Sequence, residues 1–462
     1  MAALMYRVAA ATLMAGFAVA GAIVRERPAA AQSGPKFQVQ TIYYKLPNGL
    51  RVTLSPDSTA PTVAVAVYYR IGFRIEPMDR TGFAHLFEHM MFQGSRNLGK
   101  MEFIKLVQQN GGTLNGSTRF DFTNYFEVMP SSKLETALWA EADRMHGLAI
   151  TDDNLKNQQG VVSNEVKVNV INRPYGGFPW LDMPQYANSN WHNAHNFYGE
   201  LKDIESATLK DVEAFFQTYY APNNAALAVV GDFDPAQARA WIQRYFGDIP
   251  SSALPKPADL TEPRQEMEKR ATKKDPLAKR PALAFAYHVP QRNSPEYYAM
   301  GLLDQILVQG PDSLLNQELV NKRALTASVS GGINLLGNMF NYNGPMLWTS
   351  FLFHDDDKSP DQIMAAVDSV IQGVQEKRVD RSLLDRALVK WRSDFYDFVT
   401  NGNGFGTADL LASLALFDDD PGRINRLEDE FRNVTPDLLQ KTAREYLRTT
   451  NRTVLIVEPG MK

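Results

Sequence analysis

The chain contains no cysteine. That absence excludes disulfides, thiolate metal sites, a thiol nucleophile and a lipidated N-terminal cysteine. Histidine is scarce, with seven in 462 residues, so two of them at helical spacing carry information. An excess of positive charge is also missing. The formal charge is -4, which gives no electrostatic reason to expect nucleic acid or an anionic membrane surface as a partner. Long apolar runs are limited to Val8 to Val24, which is short for a spanning helix. With Arg7 before it and Ala29-Ala30-Ala31 after it, this stretch reads as a signal peptide over residues 1–31, cleaved before Gln32. The intervening Arg25-Glu26-Arg27 leaves an uncleaved anchor as the competing reading. The expectation is an exported protein without a stable membrane anchor, periplasmic if the source is Gram-negative.

What is present is the composition of a folded globular protein, 44% hydrophobic and 22% charged. The length is too great for one ordinary core, so two or more domains are expected. From Ser251 to Pro281 the chain turns proline-rich and charged, with Pro255, Pro257, Pro263 and Pro276 inside the stretch, which marks 251–281 as a linker. The flanking halves, 37–250 and 282–462, resemble each other. Asp211 to Asp232 runs from a helix-like segment through Tyr219-Tyr220 into an apolar strand, Ala225 to Val230; Asp437 to Glu458 repeats this with Tyr446 and the strand Thr453 to Val457. Strand-like Val63 to Tyr69, Leu283 to Tyr287 and Met346 to Phe353 alternate with helical Lys133 to His146, Pro360 to Gln375 and Arg381 to Phe398. The expected fold class is α+β: two homologous halves, each an antiparallel β-sheet backed by helices.

Asp79 to Gln93 reads as a helix closed by Gly94. It places His85, Glu88 and His89 on one side, while Phe83, Ala84, Leu86, Phe87, Met90, Met91 and Phe92 make the rest apolar almost all round. Such a helix is normally buried. Two histidines and a carboxylate there incur a desolvation cost that a divalent cation offsets. Zinc suits imidazole plus carboxylate, and a site with three protein ligands leaves a position for water, whose proton Glu88 can take. A lone core histidine would be read as hydrogen-bonded packing; the paired motif favours a metal. In the second half, Val308-Gln309-Gly310 matches Phe92-Gln93-Gly94 and sets Gly301, Asp304 and Gln305 against His85, Glu88 and His89, so only the first half keeps the motif.

Two histidines supply only two ligands. Thr151 or Asp152 can cap a helix through about Asn169, with Leu155, Gln158, Val162 and Glu165 on one face. From the residues alone Glu165 is as well read as a solvated helix glutamate. The stretch Thr81-Gly82-Phe83-Ala84-His85-Leu86-Phe87-Glu88-His89-Met90 closely resembles the pitrilysin/insulinase family of zinc peptidases with the inverted His-Xaa-Xaa-Glu-His motif, which includes the mitochondrial processing peptidases. In that family the third ligand is a Glu after a Val-rich helical segment, matched by Gly160-Val161-Val162-Ser163-Asn164-Glu165. The resemblance covers essentially the mature chain. It implies one zinc held by His85, His89 and Glu165, with Glu88 as general base. Many members carry a further Glu where this chain has Gln158, which can still hydrogen-bond behind the ligands but supplies no charge.

Gly111 to Thr118 leads through Arg119 to Asp121 into Phe122 to Met129, which reads as a hairpin. The resemblance makes its first strand an exposed edge to which an extended peptide adds, with Asn115 and Gly116 as contacts; an ordinary protected hairpin is the alternative. His146, His192 and His195, with Tyr175 and Trp180, are read as surface or packing residues. Active single-chain relatives carry an Arg and a Tyr in their second half that reach the substrate carbonyl; the matching run Leu319 to Ala327 holds Val320 and Ala327 instead. Neither side chain donates a hydrogen bond. The resemblance thus implies an endopeptidase acting on extended peptides in a chamber completed by a homologous, zinc-less partner subunit carrying the Arg/Tyr pair, unless Arg323 or Tyr342 substitutes. The rival is a non-catalytic assembly or chaperone-like subunit, in which Glu88 would have no use.

Overall fold

The computed structural model describes residues 37–460; the segment 1–31 expected as a signal peptide lies outside the described residues. Among the described residues no helix is long and apolar enough to cross a membrane. The first sheet contains β1 (Ile42–Lys45), β2 (Arg51–Pro56), β3 (Thr62–Tyr69), β4 (Thr113–Thr118), β5 (Thr123–Pro130) and β6 (Ala225–Gly231). Its order is β1-β2-β6-β3-β5-β4. The second contains β7 (Lys269–Asp275), β8 (Ala282–His288), β9 (Ser330–Ile333), β10 (Leu347–Phe353) and β11 (Arg452–Pro459), in the order β7-β11-β8-β10-β9.

Without β1 the two orders are the same, strand for strand. Both sheets are antiparallel apart from one parallel pair, β2 with β6 and β7 with β11. The same asparagine staple recurs at the same place: Asn224 Nδ2 donates to Tyr219 O (2.8 Å) and Arg70 O (3.2 Å), and Asn451 Nδ2 donates to Tyr446 O (2.7 Å) and His288 O (3.1 Å). The stretch expected to be a linker, 251–281, is not all connector, because it contains β7. That strand is on an edge and reads Lys-Arg-Ala-Thr-Lys-Lys-Asp with alternating exposure, so it lacks the apolar run that reveals the inner strands.

The helices that shape the molecule are α1 (Phe83–Met90), α2 (Leu134–His146), α3 (Asp152–Val166), α4 (Asp182–Ala187), α5 (Leu209–Tyr219), α6 (Pro295–Leu307), α7 (Pro360–Glu376), α8 (Arg381–Thr400), α9 (Phe405–Asp418) and α10 (Pro436–Tyr446). β3 from Val63 onward and all of β6 are buried and free of charged side chains because both of their faces are covered. Val63, Val65, Val67, Leu227 and Val229 join a core with residues of α1, α2, α3 and α5. The opposite face, with Ala64, Ala66, Ala226 and Ala228 fully buried, is covered by α9, a helix from the second half. Small side chains let α9 lie close, the Phe126 and Phe405 rings stack at 3.6 Å, and the Tyr68 hydroxyl donates to Asp409. The exchange is reciprocal. Phe178, Met183 and Ala187, in and before α4 of the first half, pack on Ala282, Ala284, Ala286, Leu455 and Val457 of the second sheet.

Candidate functional site

α1 begins at Phe83, later than the expected Asp79, because Gly82 turns the chain with φ of +82°. The helix N-terminus is capped from outside by Glu76, whose carboxylate accepts from Gly82 N (2.9 Å) and Ala84 N (2.5 Å), where a negative charge complements the helix dipole. Burial pushes the Glu76 carboxyl up, against the pull of His195. The helix also ends earlier than the expected Gln93, at Met90 with Met91 as its C-cap; Gly94, with φ of +118°, turns the chain in the loop beyond rather than capping the helix. Phe87 stacks on Phe215 and Tyr220, which fixes the rotation of α1. His85 is thereby buried, while Glu88 and His89 are partly open.

α3 starts at its expected cap, with Thr151 accepting from Asn154 N at 3.2 Å. Leu155, Gln158 and Val162 are buried, and α3 packs against α1. Past Val166 the helix widens into a π-type turn, Lys167–Ile171. Glu165 therefore sits near the end of the regular helix with its carboxylate beside the two imidazoles. His85 Nε2 and His89 Nε2 are 3.3 Å apart. Glu165 Oε1 lies 3.5 Å from the former and Oε2 lies 3.2 Å from the latter.

These donors fit a zinc ion by their own chemistry. Ligand atoms about 2.0–2.1 Å from a tetrahedral zinc stand roughly 3.3–3.4 Å from one another, which is the spacing seen here. Moreover, the Nε2 of the buried His85 faces another imidazole nitrogen and a carboxylate. Hydrogen bonds from His85 and His89 hold the Glu165 carboxyl well below the usual carboxylate range, against the effect of burial. Among the described residues this is the one group of three such side chains placed to hold a metal ion.

Glu88 stands beside the cluster and is oriented by a residue that sequence reasoning missed. The hydroxyl of Thr118, the last residue of β4, donates to Glu88 Oε2 at 2.8 Å. β4 is the outer strand of its sheet, as the hairpin reading requires. Asn115 is exposed on it and Gly116 is buried; Asn115 Oδ1 accepts from Gly116 N at 2.9 Å. Gln158 is buried, and its amide donates to Asn157 Oδ1 at 2.8 Å. The group that does reach Glu165 is a second missed residue, Tyr198, whose hydroxyl lies 3.3 Å from Oε1 and whose ring stands edge-on to His85 at 5.0 Å. Burial, and then the Glu165 charge, push the Tyr198 hydroxyl up to about 12, so it is a donor at neutral pH. Tyr198 lies in an aperiodic loop, which offers no pattern to single it out.

Three of the other five histidines, those singled out in the sequence, have structural partners. His146 meets Arg96 at 2.6 Å, His192 Nδ1 lies 2.9 Å from Arg74 O, and His195 stacks on Trp191 at 4.2 Å. In the second half Val320 is partly buried and Ala327 exposed. The two possible substitutes are engaged elsewhere: Arg323 Nε donates to Glu318 (2.6 Å), and the buried Tyr342 hydroxyl donates to Tyr297 (2.7 Å). A cavity of about 1240 Å³ opens between the halves, lined by Arg70, Tyr219, His288 and Tyr446 among others. Neither the two motif histidines nor Glu165 reaches it.

Residues 51–174 match the family model described as Insulinase (Peptidase family M16), and residues 206–389 match the one described as Peptidase M16 inactive domain. The chain is 26% identical over 427 residues to the zinc protease PqqE of Helicobacter pylori, which covers 90% of this chain and 92% of that protein. It is 21% identical over 329 residues to the mitochondrial-processing peptidase subunit beta of Saccharomyces cerevisiae, covering 69% and 70%. The crystal structure of a protease from Helicobacter pylori superposes with a TM-score of 0.82 at 25% identity, over 91% of this chain and all of that one.

Proposed function

Because the chain belongs to the insulinase family of peptidases (M16), we propose that it is a zinc-dependent endopeptidase with one zinc per chain, held by His85, His89 and Glu165. The observation that carries this reading is the convergence of three ligand atoms from α1 and α3 with a fourth group, Glu88, left out of the cluster and bonded to Thr118. A structural metal site has no use for such a carboxylate. Similarity to a protein named a zinc protease supports the same reading.

Bound zinc supplies Lewis acidity, which acidifies water and polarises a peptide carbonyl. Glu88 takes the proton of the attacking water and returns it to the leaving amine. Thr118 occupies Oε2 of Glu88 and so presents the other oxygen to that proton. The substrate is an extended peptide added to the outer edge of β4, with contacts at Asn115 and Gly116. Side chains able to stabilise the developing oxyanion are lacking at Val320 and Ala327, and each such donor is commonly worth about 3 kcal/mol. A homologous, zinc-less subunit with the Arg/Tyr pair completes the chamber in this reading, and the relative named as a subunit supports a divided enzyme. The leader-like residues 1–31 support export. The match of residues 206–389 to a domain described as inactive concerns mainly the half without the metal motif.

The test measures bound metal and cleavage of a quenched peptide library by the purified full chain, with and without a zinc-less homologue. Glu88→Gln is expected to keep its zinc and to lose hydrolysis by about 10²–10⁴-fold. Retained hydrolysis would remove Glu88 from the mechanism and leave the non-catalytic reading to be judged on the wild type. Full zinc occupancy in Glu165→Ala would place the third ligand elsewhere. Cleavage by the chain alone at a rate that the homologue does not raise would refute the divided site.

A further inference from the structure

A carboxylate ligand near a helix end needs an outer partner, because a glutamate has freely turning side-chain bonds and a misdirected ligand weakens a metal site. Glu165 is in that position: its side chain is 29% exposed, and α3 loses its regular form just beyond it. Gln158, two turns earlier on the same helix, is turned to Asn157. Tyr198 is turned to Glu165.

The backbone of Tyr198 is pinned to the start of the helix that bears both histidines. A Cβ on Gly82 would lie 2.5 Å from Tyr198 O, and a Cβ on Gly199 would lie 2.3 Å from Gly82 N. Two glycines thus permit an approach that no other residue pair would allow. Thr81 Oγ1 accepts from Glu200 N (2.9 Å) and donates to Asp203 (2.6 Å), closing the same junction. The ring is packed among His85, Phe197 and Trp180. One end of this residue is fixed to α1, then, and the other end holds the carboxylate of α3.

We propose that Tyr198 is the positioning residue of the metal site: its hydroxyl fixes Glu165 Oε1, so that Oε2 faces His89 and the ligand set keeps its spacing. The proposal rests on the zinc reading above. Its test is the zinc dissociation constant of the full chain, measured by competition with a chelator, for the wild type, Tyr198→Phe and Gln158→Leu. Phenylalanine keeps the ring and removes only the hydroxyl. Tyr198→Phe is expected to weaken zinc about 10–100-fold while the metal-free protein melts as the wild type does; Gln158→Leu leaves the constant unchanged. Wild-type affinity in Tyr198→Phe, or an equal loss in Gln158→Leu, overturns the proposal. A wild type that binds no zinc overturns the metal reading itself, so the two failures are told apart.

Discussion

Asp304→Asn isolates the cost of a carboxyl that the second half keeps in its core. Asp304 lies on α6 at the position matching Glu88. Its Oδ1 accepts from Trp348 Nε1 at 2.7 Å and its Oδ2 from Gln309 Nε2 at 3.0 Å. Burial is the dominant influence and pushes the carboxyl up from 3.8 to about 7, against those two hydrogen bonds; Asp394 pushes the same way and Lys390 opposes. An acid whose pKa is raised by folding binds its proton more tightly in the folded state. Below about pH 4 both states are protonated and nothing is lost. As the pH rises towards 7 only the unfolded chain ionises, so stability falls; above that the loss is constant. A rise of about three units corresponds to about 4 kcal/mol. Asparagine has no proton to lose, but its amide nitrogen must face one of the two donors, costing about 1 kcal/mol. Asp304→Asn is therefore expected to be about 1 kcal/mol less stable near pH 4 and about 2–3 kcal/mol more stable near pH 8. Urea unfolding of both proteins at several pH values measures the difference, in which other titrating groups cancel. A difference that does not change with pH would refute the reasoning.

Gly82→Ala forces a side chain into a left-handed conformation, which alone costs about 1–2 kcal/mol, and drives its Cβ against Tyr198 O at 2.5 Å; a lower melting temperature together with weaker zinc binding is expected. Arg144→Ala leaves Glu141 without the partner that donates to both of its oxygens, beside Glu127, whose carboxyl burial already pushes far up. Breaking such a buried pair costs about 3–5 kcal/mol, and an unchanged urea midpoint would refute the expected loss.

The parts of this molecule that repeat at a helical or strand period were legible in the sequence. α1 could be recognised because an almost wholly apolar helix carries His85, Glu88 and His89 on one side, β3, β6 and β8 because each carries a continuous apolar run, and β10 because Leu347-Trp348 and Phe351 to Phe353 flank its Thr349-Ser350. The true start of α1 could not, since Asp79 and Thr81 ahead of Gly82 read as ordinary helix-start residues and the cap actually used, Glu76, comes from a preceding turn. Glu165 shares a face with Leu155 and Val162 like any amphipathic helix residue, and it was family resemblance rather than period that singled it out. β7 was hidden by its charge. The parallel pair in each sheet was hidden because strand direction is set by long connections that leave no local trace. Thr118 and Tyr198 act through contacts across the chain, Thr118 reaching Glu88 and Tyr198 reaching Glu165.

The crossing of helices between the halves constrains how the protein can be made. The first sheet is complete in a growing chain once β6 has been synthesised, yet the helix that covers its alanine-rich face, Phe405–Asp418, is made only near the end. Until then that face is open to any other apolar surface, a condition that promotes misassembly in large proteins. A truncated product ending at the seam between the halves would be an adhesive fragment rather than a free-standing domain. The molecule thus favours folding after the whole chain has been made, so that the face waits uncovered for as short a time as possible.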